Sequence, residues 1–199
     1  MSVDVSCPPS REQAEDAVRV LIKWIGDSAE RDGLLMTPSR VLDMYKKTFS
    51  GYGFDEDAVS KGAVLSNDAG YTDMIVAKGV GFSSNCEHHF SSVQGTANIA
   101  YIPREKILGI GRIKKIVDGF SRRLQLQERM TVQVAELLEK VLDPIGVAVL
   151  IEGEHMCVEC DIKKMWTSGF RFQTSHMLGV FKDNNELRRE FFTRLKLGL

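Results

Sequence analysis

Three of the four histidines and three of the four cysteines of this chain fall in two short stretches far apart in sequence, Cys86-Glu87-His88-His89 and His155-Met156-Cys157-Val158-Glu159-Cys160. A fold for this chain has to account for that clustering. Zn2+ takes thiolate sulfur and imidazole nitrogen in a tetrahedron, and a Cys-x-x-His pair lets one turn supply two ligands to one ion. The second stretch then closes the site from elsewhere in the fold. By spacing alone, Cys86-x-x-His89 with Cys157-x-x-Cys160 suits a four-ligand structural site as well as a catalytic one. His88 and His155 tilt the balance toward catalysis. They are surplus to a four-ligand shell, and imidazoles beside a metal-bound water suit proton transfer near neutral pH. The plainer reading of either is a core histidine satisfied by its neighbours.

The 199 residues are 43% hydrophobic with a formal net charge of −1, enough to bury a core and too neutral to attract nucleic acid or an anionic membrane globally. Any phosphate-binding patch must therefore be local. No apolar run approaches the ~20 residues that span a bilayer, and Met1 to Arg11 is polar with two prolines rather than a signal peptide. The expected compartment is the cytoplasm. Cysteines there are better explained by metal binding or reactivity than by disulfides, with Cys7, in the tail, as the exception.

Apolar Ala14, Val18, Leu21, Ile22 and Ile25 recur at helical spacing over Arg11 to Ser28. A second helix is expected from Thr37 as N-cap, with Pro38 at its first position, to about Phe49. Gly51 to Gly70 reads as a loop, and Met74 to Phe82 with Val93 to Ile102 as strands able to pair as a hairpin. Arg112 to Leu126 and Glu128 to Leu142 have helical period, and Gly146 to Glu152 is a short apolar strand ending just before His155. Another strand is expected within Lys163 to Gln173. Asp183 is the expected cap of a last helix, Glu186 to Lys196, with Leu187, Phe191 and Phe192 as a docking face. This order argues an α+β fold with a mostly antiparallel sheet. The division expected is a tail at 1–10, a helical N-terminal extension at 11–50 and a catalytic domain at 51–199.

A second group of candidates lies on the two middle helices: Arg112, Lys114, Lys115, Arg122 and Arg123, followed by Gln127-Glu128-Arg129. Such charge runs are commonly solvated helix faces. Arg112 and Lys115, three apart, share a face and are able to meet phosphate oxygens together. Glu128 has the two acceptors needed for the N1 and N2 hydrogens of guanine, with Gln127 as a second reader.

These residues carry a specific resemblance. The stretches Asp32-Gly33-Leu34-Leu35-Met36-Thr37-Pro38-Ser39-Arg40-Val41, Cys86-Glu87-His88-His89, Phe120-Ser121-Arg122-Arg123-Leu124-Gln125-Leu126-Gln127-Glu128-Arg129, His155-Met156-Cys157 and Met177-Leu178-Gly179-Val180-Phe181 resemble GTP cyclohydrolase I in order and spacing, from about Ala14 onward. The resemblance implies the tunnelling fold, with two helices on one face of an antiparallel sheet and rings of subunits stacked into a homodecamer whose active sites lie between subunits. It implies Zn2+ on Cys86, His89 and Cys157 with water in the fourth position, and proton transfer by His88 and His155. It implies guanine held by Gln127 and Glu128, and the triphosphate by Arg40, Arg112 and Lys115. The implied reaction opens the imidazole ring of GTP at C8, releases formate and yields 7,8-dihydroneopterin triphosphate for pterin or folate supply.

Departures from the family pattern fall near the expected phosphate and sugar contacts: Gly111 where a serine is usual, Arg112 for a lysine, Lys115 for an arginine, and Asp161 for an arginine. They motivate an alternative, a divergent paralogue that stops at a ring-opened or C8-hydrated intermediate or takes another guanine nucleotide. A further alternative is a non-catalytic assembly protein whose structural zinc is enclosed by Cys86, His89, Cys157 and Cys160.

Overall fold

The computed structural model describes residues 8–62, 64–159 and 170–196. Contacts divide the chain into two compact units, Met1–Ser50 and Gly51–Leu199. In the first, α1 (Arg11–Trp24) opens with a capping box, the Ser10 hydroxyl accepting from Gln13 N and the Gln13 side chain accepting from Ser10 N. Helix α2 (Thr37–Thr48) begins differently from the expectation. Thr37 lies inside the helix, Met36 is the N-cap, and no side chain caps the end. The cause is local: Thr37 N already donates to Leu34 O at 2.9 Å, so the preceding turn runs on into the helix. Arg11 joins the two helices, donating to Asp43 at 2.9 Å and to the Ser39 hydroxyl at 3.0 Å.

In the second unit, the segment expected to be a loop holds a 3-10 turn (Ser50–Gly53), α3 (Glu56–Gly62) and β1 (Val64–Ser66). Asp55 starts α3 by accepting from the backbone of Asp57 and Ala58, which is how an acidic, glycine-rich stretch still makes a short helix. Strand β2 (Ile75–Cys86) and β3 (Ser92–Ile102) form the expected hairpin, and β4 (Lys106–Leu108) returns to pair with β1. Helix α4 (Ile110–Ser121) stops short of the span expected from periodicity. Arg123 and Leu124 lead instead into β5 (Leu124–Gln125), which lies parallel to the end of β2 and precedes α5 (Gln127–Leu142). Then come β6 (Gly146–His155), α6 (Met156–Glu159), β7 (Phe172–Gly179), α7 (Val180–Asp183) and α8 (Asn185–Lys196). The main sheet has the order β5-β2-β3-β6-β7, antiparallel except for the β2–β5 pair. This is the expected α+β class.

The two faces of the sheet are covered differently, and that decides where a site can form. Phe82, Val93, Ala97, Ile99, Tyr101, Val147, Val149 and Ile151 pack under α4 and α5, whose Ile116, Val117, Val134 and Leu138 are fully buried. The other face is covered at one end, where Ala100, Ile102 and Ala148 meet Phe181 and Phe191 of α7 and α8. Leu187, Phe191 and Phe192 do dock, as expected. The cap of α8 is Asn184 rather than Asp183, its side-chain oxygen accepting from Glu186 N and Leu187 N. This half-covering explains why β6 looked short in sequence. Between Gly146 and Ile151 both faces are buried and the run is apolar, whereas Glu152 and Glu154 appear where no helix among the described residues covers the second face, and the strand continues to His155.

Antiparallel register then gathers several chain segments at the bare end. Asn85 pairs with Ser92 and Val93 with His155, while Cys86 pairs with Gln125 just before α5 begins. The start of α4 belongs to the opposite end, because α4 carries the chain from the far end of β3 back to β5.

Candidate metal centre and its surroundings

The turn between β2 and β3 carries Cys86, His88 and His89, and the end of β6 carries His155 with Cys157 one residue into α6. Cys86 and Cys157 are free thiols. Cys86, His89 and Cys157 each aim one ligand atom into a common space, all within 4.8 Å of one another. His89 presents Nδ1 to Cys86 Sγ at 3.7 Å. Tetrahedral zinc with bonds of about 2.3 Å to sulfur and about 2.0 Å to nitrogen puts such a pair roughly 3.6 Å apart, so the donor set fits that ion. Cys86 is buried and His89 exposed, so the cluster opens to solvent on the imidazole side. Burial pushes the Cys157 thiol above the ordinary range, and neighbouring Cys86 pushes it the same way. Two thiols held this close repel as thiolates, which is the situation a bound cation relieves. Cys7, Cys160 and Asp161 lie outside the described residues, as does most of the segment in which a strand before Gln173 was expected.

The other expected residues divide into near and far. His88 is exposed in the same turn, its ring edge-to-face with His89 at 6.1 Å between centroids. His155 donates through Nε2 to Gln127 Oε1 at 3.0 Å, and its ring packs edge-on against Phe172. Burial holds His155 below the usual imidazole range, and the Glu128 carboxylate opposes that shift. Glu128 itself is exposed at the first turn of α5. Arg112 and Lys115 are not part of this group. They line a cavity of about 310 Å3 at the start of α4 with Gly62, Leu65, Gly109, Ile110 and Gly111, and Arg112 donates to Gly62 O at 3.2 Å. Ten residues of helical rise from Arg112 to Arg122 already amount to about 15 Å. Arg40 is an exposed residue of α2 in the first unit.

Residues that sequence reasoning passed over hold the near group in place. Arg129 grips Glu87 inside the metal turn, and Glu87 N donates to Gln125 O at 3.2 Å. Gln125 is buried, donating to Phe120 O and Gln133 and accepting from Leu126 N. Thr131 and Thr174 share a hydrogen bond of 2.6 Å beneath Gln127. The available signal was polar residues at positions where helical period demands apolar ones, Thr131 above all. A larger open hollow of about 550 Å3 lies over the bare sheet face, lined by Ser83, Gln94, Thr96, Glu152 and Glu154 with Lys114, Asp118, Arg122 and Arg171.

The chain is similar to known proteins over most of its length. The model of the family described as GTP cyclohydrolase I matches residues 14–196. The GTP cyclohydrolase 1 of Bartonella bacilliformis is 42% identical over 184 residues, 92% of this chain and 88% of that protein. The enzyme of the same name from Bartonella quintana is 48% identical over 150 residues, covering 75% of this chain and 72% of its own. That from Allorhizobium ampelinum is 41% identical over 188 residues, 94% and 92% of the two chains. Among solved structures, the archaeosine synthase QueF-Like in its apo form aligns with 55% of this chain and 94% of its own, at 22% identity and a TM-score of 0.40. With a family match over nearly its whole length and relatives 41% and 42% identical over most of it, the chain belongs to the GTP cyclohydrolase I family.

Proposed function

We propose that the chain is a zinc-dependent hydrolase that opens the imidazole ring of GTP at C8, releases that carbon as formate and forms 7,8-dihydroneopterin triphosphate. The observation that carries this reading is the Cys86, His89, Cys157 cluster with His155 and Glu128 beside it at one end of the sheet. Cys86, His89 and Cys157 would hold the zinc, which when bound would lower the pKa of water toward ~7 and so supply a nucleophile at neutral pH. Glu128 accepts the N1 and N2 hydrogens of guanine and so fixes where C8 lies. His155, held neutral by burial, takes up a proton as water adds, and His88, exposed in the metal turn, returns one to the leaving nitrogen. Gln127, the expected second guanine reader, sits next to Glu128 with its side chain already hydrogen-bonded.

The triphosphate contacts belong to Arg112, Lys115 and Arg40, with the uncapped start of α4 adding backbone N–H groups. Because Arg112 and Lys115 stand at the far end of α4 from Glu128, base and phosphates of one nucleotide are best served by two copies of the chain. Edge geometry supports self-association. Among the described residues β2 is paired on its outer side only at Asn85 and Cys86, and β7 only with β6. Two open edges on one sheet invite head-to-tail pairing into a closed ring, and stacked rings give the decamer. No helix among the described residues is long and apolar enough to cross a membrane.

The test is to incubate the zinc-loaded protein with GTP, GDP, GMP and guanosine while following substrate loss, formate and pterin fluorescence together. The proposal expects all three signals with GTP at comparable rates. GTP loss with formate but without pterin would replace it by an enzyme that stops after ring opening, and no GTP loss would remove the catalytic reading.

A further inference from the structure

Gln127 is the first residue of α5 and is 5% exposed, with both polar ends of its side chain engaged. Nε2 lies 3.1 Å from Ile151 O on β6, 2.9 Å from Phe172 O at the start of β7 and 3.2 Å from Thr174 Oγ1. Two of those partners are carbonyl oxygens, which only accept, so the amide end facing them is the NH2 group. The reversed amide would press an oxygen against both carbonyls at roughly 3 Å with no proton between them. Oε1 therefore faces His155 Nε2 at 3.0 Å. An amide oxygen also only accepts, so the proton of that bond sits on His155 Nε2. A neutral imidazole protonated there has its lone pair on Nδ1, the ring nitrogen turned away from Gln127.

The backbone is shaped to admit this contact. Gly153 lies on β6 two residues before His155, and a Cβ there would stand 2.5 Å from Gln127 Oε1. A side chain at 153 would push the amide off the imidazole.

We infer that Gln127 is a positioning residue rather than a reader of guanine: it holds His155 in the Nε2–H tautomer and so makes Nδ1 the atom that accepts a proton. Guanine recognition then rests on Glu128 and on backbone groups. The catalytic consequence rests on the ring-opening reading above, whereas the tautomer is a property of the protein alone.

The experiment uses the zinc-loaded full-length protein labelled with 15N-histidine, and solid-state spectra at a pH where imidazoles are neutral, with His155 assigned by its loss in His155→Gln. The expected wild-type signal is that of an Nε2–H imidazole, perturbed in both Gln127→Met and Gly153→Ala. An Nδ1–H signal for wild-type His155 overturns the inference whatever the enzyme does with GTP. Steady-state rates are the second arm. Partners that orient a working imidazole typically matter by about 10–100-fold, so kcat should fall by that factor in Gln127→Met and in Gly153→Ala. KM, and the affinity for a C8-oxidised guanosine triphosphate that cannot be hydrated there, should stay within about twofold. Affinity lost with kcat kept would make Gln127 a base reader and overturn the assignment. Gly153→Ala keeps every polar group and so decides the matter if Gln127→Met fails to fold. A wild-type protein that leaves GTP intact would count against the ring-opening reading, while its spectrum still decides the tautomer.

Discussion

Arg129 holds Glu87 with both ends of its guanidinium, Nη1 and Nη2 lying 2.6 and 3.2 Å from the two carboxylate oxygens, and so ties the first turn of α5 to the metal-bearing turn. The guanidinium also keeps Glu87 below the usual carboxylate range. Both side chains are partly exposed, and exposed ion pairs add little to stability. The pair's value is to hold Cys86 and His89 at a fixed distance from Glu128. Glu87→Gln should therefore leave the unfolding midpoint of the zinc-free protein nearly unmoved while weakening zinc binding by about tenfold or more, read by competition with a chromogenic chelator. Equal zinc affinity in the variant would leave Arg129–Glu87 as surface decoration.

Removing a ligand is a stronger perturbation. Cys86→Ala, His89→Ala and Cys157→Ala should each lose zinc on dialysis where the wild type retains one ion per chain, because each deletes one of three protein bonds to the metal. Metal analysis of the dialysed proteins checks this, and full retention in any one variant excludes that residue from the ligand set.

Glu128→Gln replaces an acceptor with a donor that faces the donors of guanine. Unpaired groups of that kind cost about 1–3 kcal/mol. Affinity should fall by a similar factor for GTP, GDP and GMP, since the lost contact is to the base they share. Calorimetric titration of the three nucleotides would expose a different role if the loss grew with phosphate number.

The opposite pattern is expected at the start of α4. Arg112→Ala and Lys115→Ala remove charges from the cavity beside Gly111, and a charge-assisted hydrogen bond contributes about 1.5–3 kcal/mol. GTP binding should weaken by tenfold or more in each, with guanosine binding unchanged. Mixing Arg112→Ala with Glu128→Gln protein should restore part of the activity if one nucleotide spans two copies, because some pairs then combine an intact cavity with an intact base site.

Glu139 offers a pH-dependent test away from the site. Its Oε2 is buried without a hydrogen-bond partner among the described residues, and burial, reinforced by Asp143 and opposed by Arg104, raises its pKa above the ordinary 4.5. A carboxyl with a raised folded pKa favours the folded state below the unfolded value and loses that advantage as pH rises through the folded one. Glu139→Gln should thus melt higher than wild type near neutral pH, with the gap closing under acid conditions. A gap that is constant with pH would mean that Glu139 ionises freely in the folded protein.

The candidate metal cluster was legible because cysteines and histidines gathered in two short stretches are chemistry that composition cannot hide, although spacing alone left Cys160 as good a donor as Cys157 and the three-donor set came from the family resemblance; the hairpin, the two middle helices and the docking helix were legible from period. What escaped was context. The end of β6 was lost because one face of the sheet goes bare beyond Ile151, and polar Glu152 and Glu154 look like a strand's end. Thr37 lost its capping role to a preceding turn, and Asn184 took the cap expected of Asp183. The partners of Gln127 lie on β6 and β7, so no local pattern could announce them. The separation of Arg112 and Lys115 from Glu128 is likewise a matter of helix direction, which periodicity does not encode.

The connectivity of the metal cluster also sets an order of events when the chain folds. Cys86 and His89 flank a local hairpin and meet as soon as β2 and β3 pair. Cys157 arrives only when β6 has docked on β3, after α4 and α5 have been threaded between them. An ion encountering the nascent chain finds half a binding site, and loop closure over that distance is slow. Full affinity would appear only with the assembled sheet, so a metal ion held by this cluster would act late: it would add to the folded state by mass action rather than serve as the seed around which the sheet assembles.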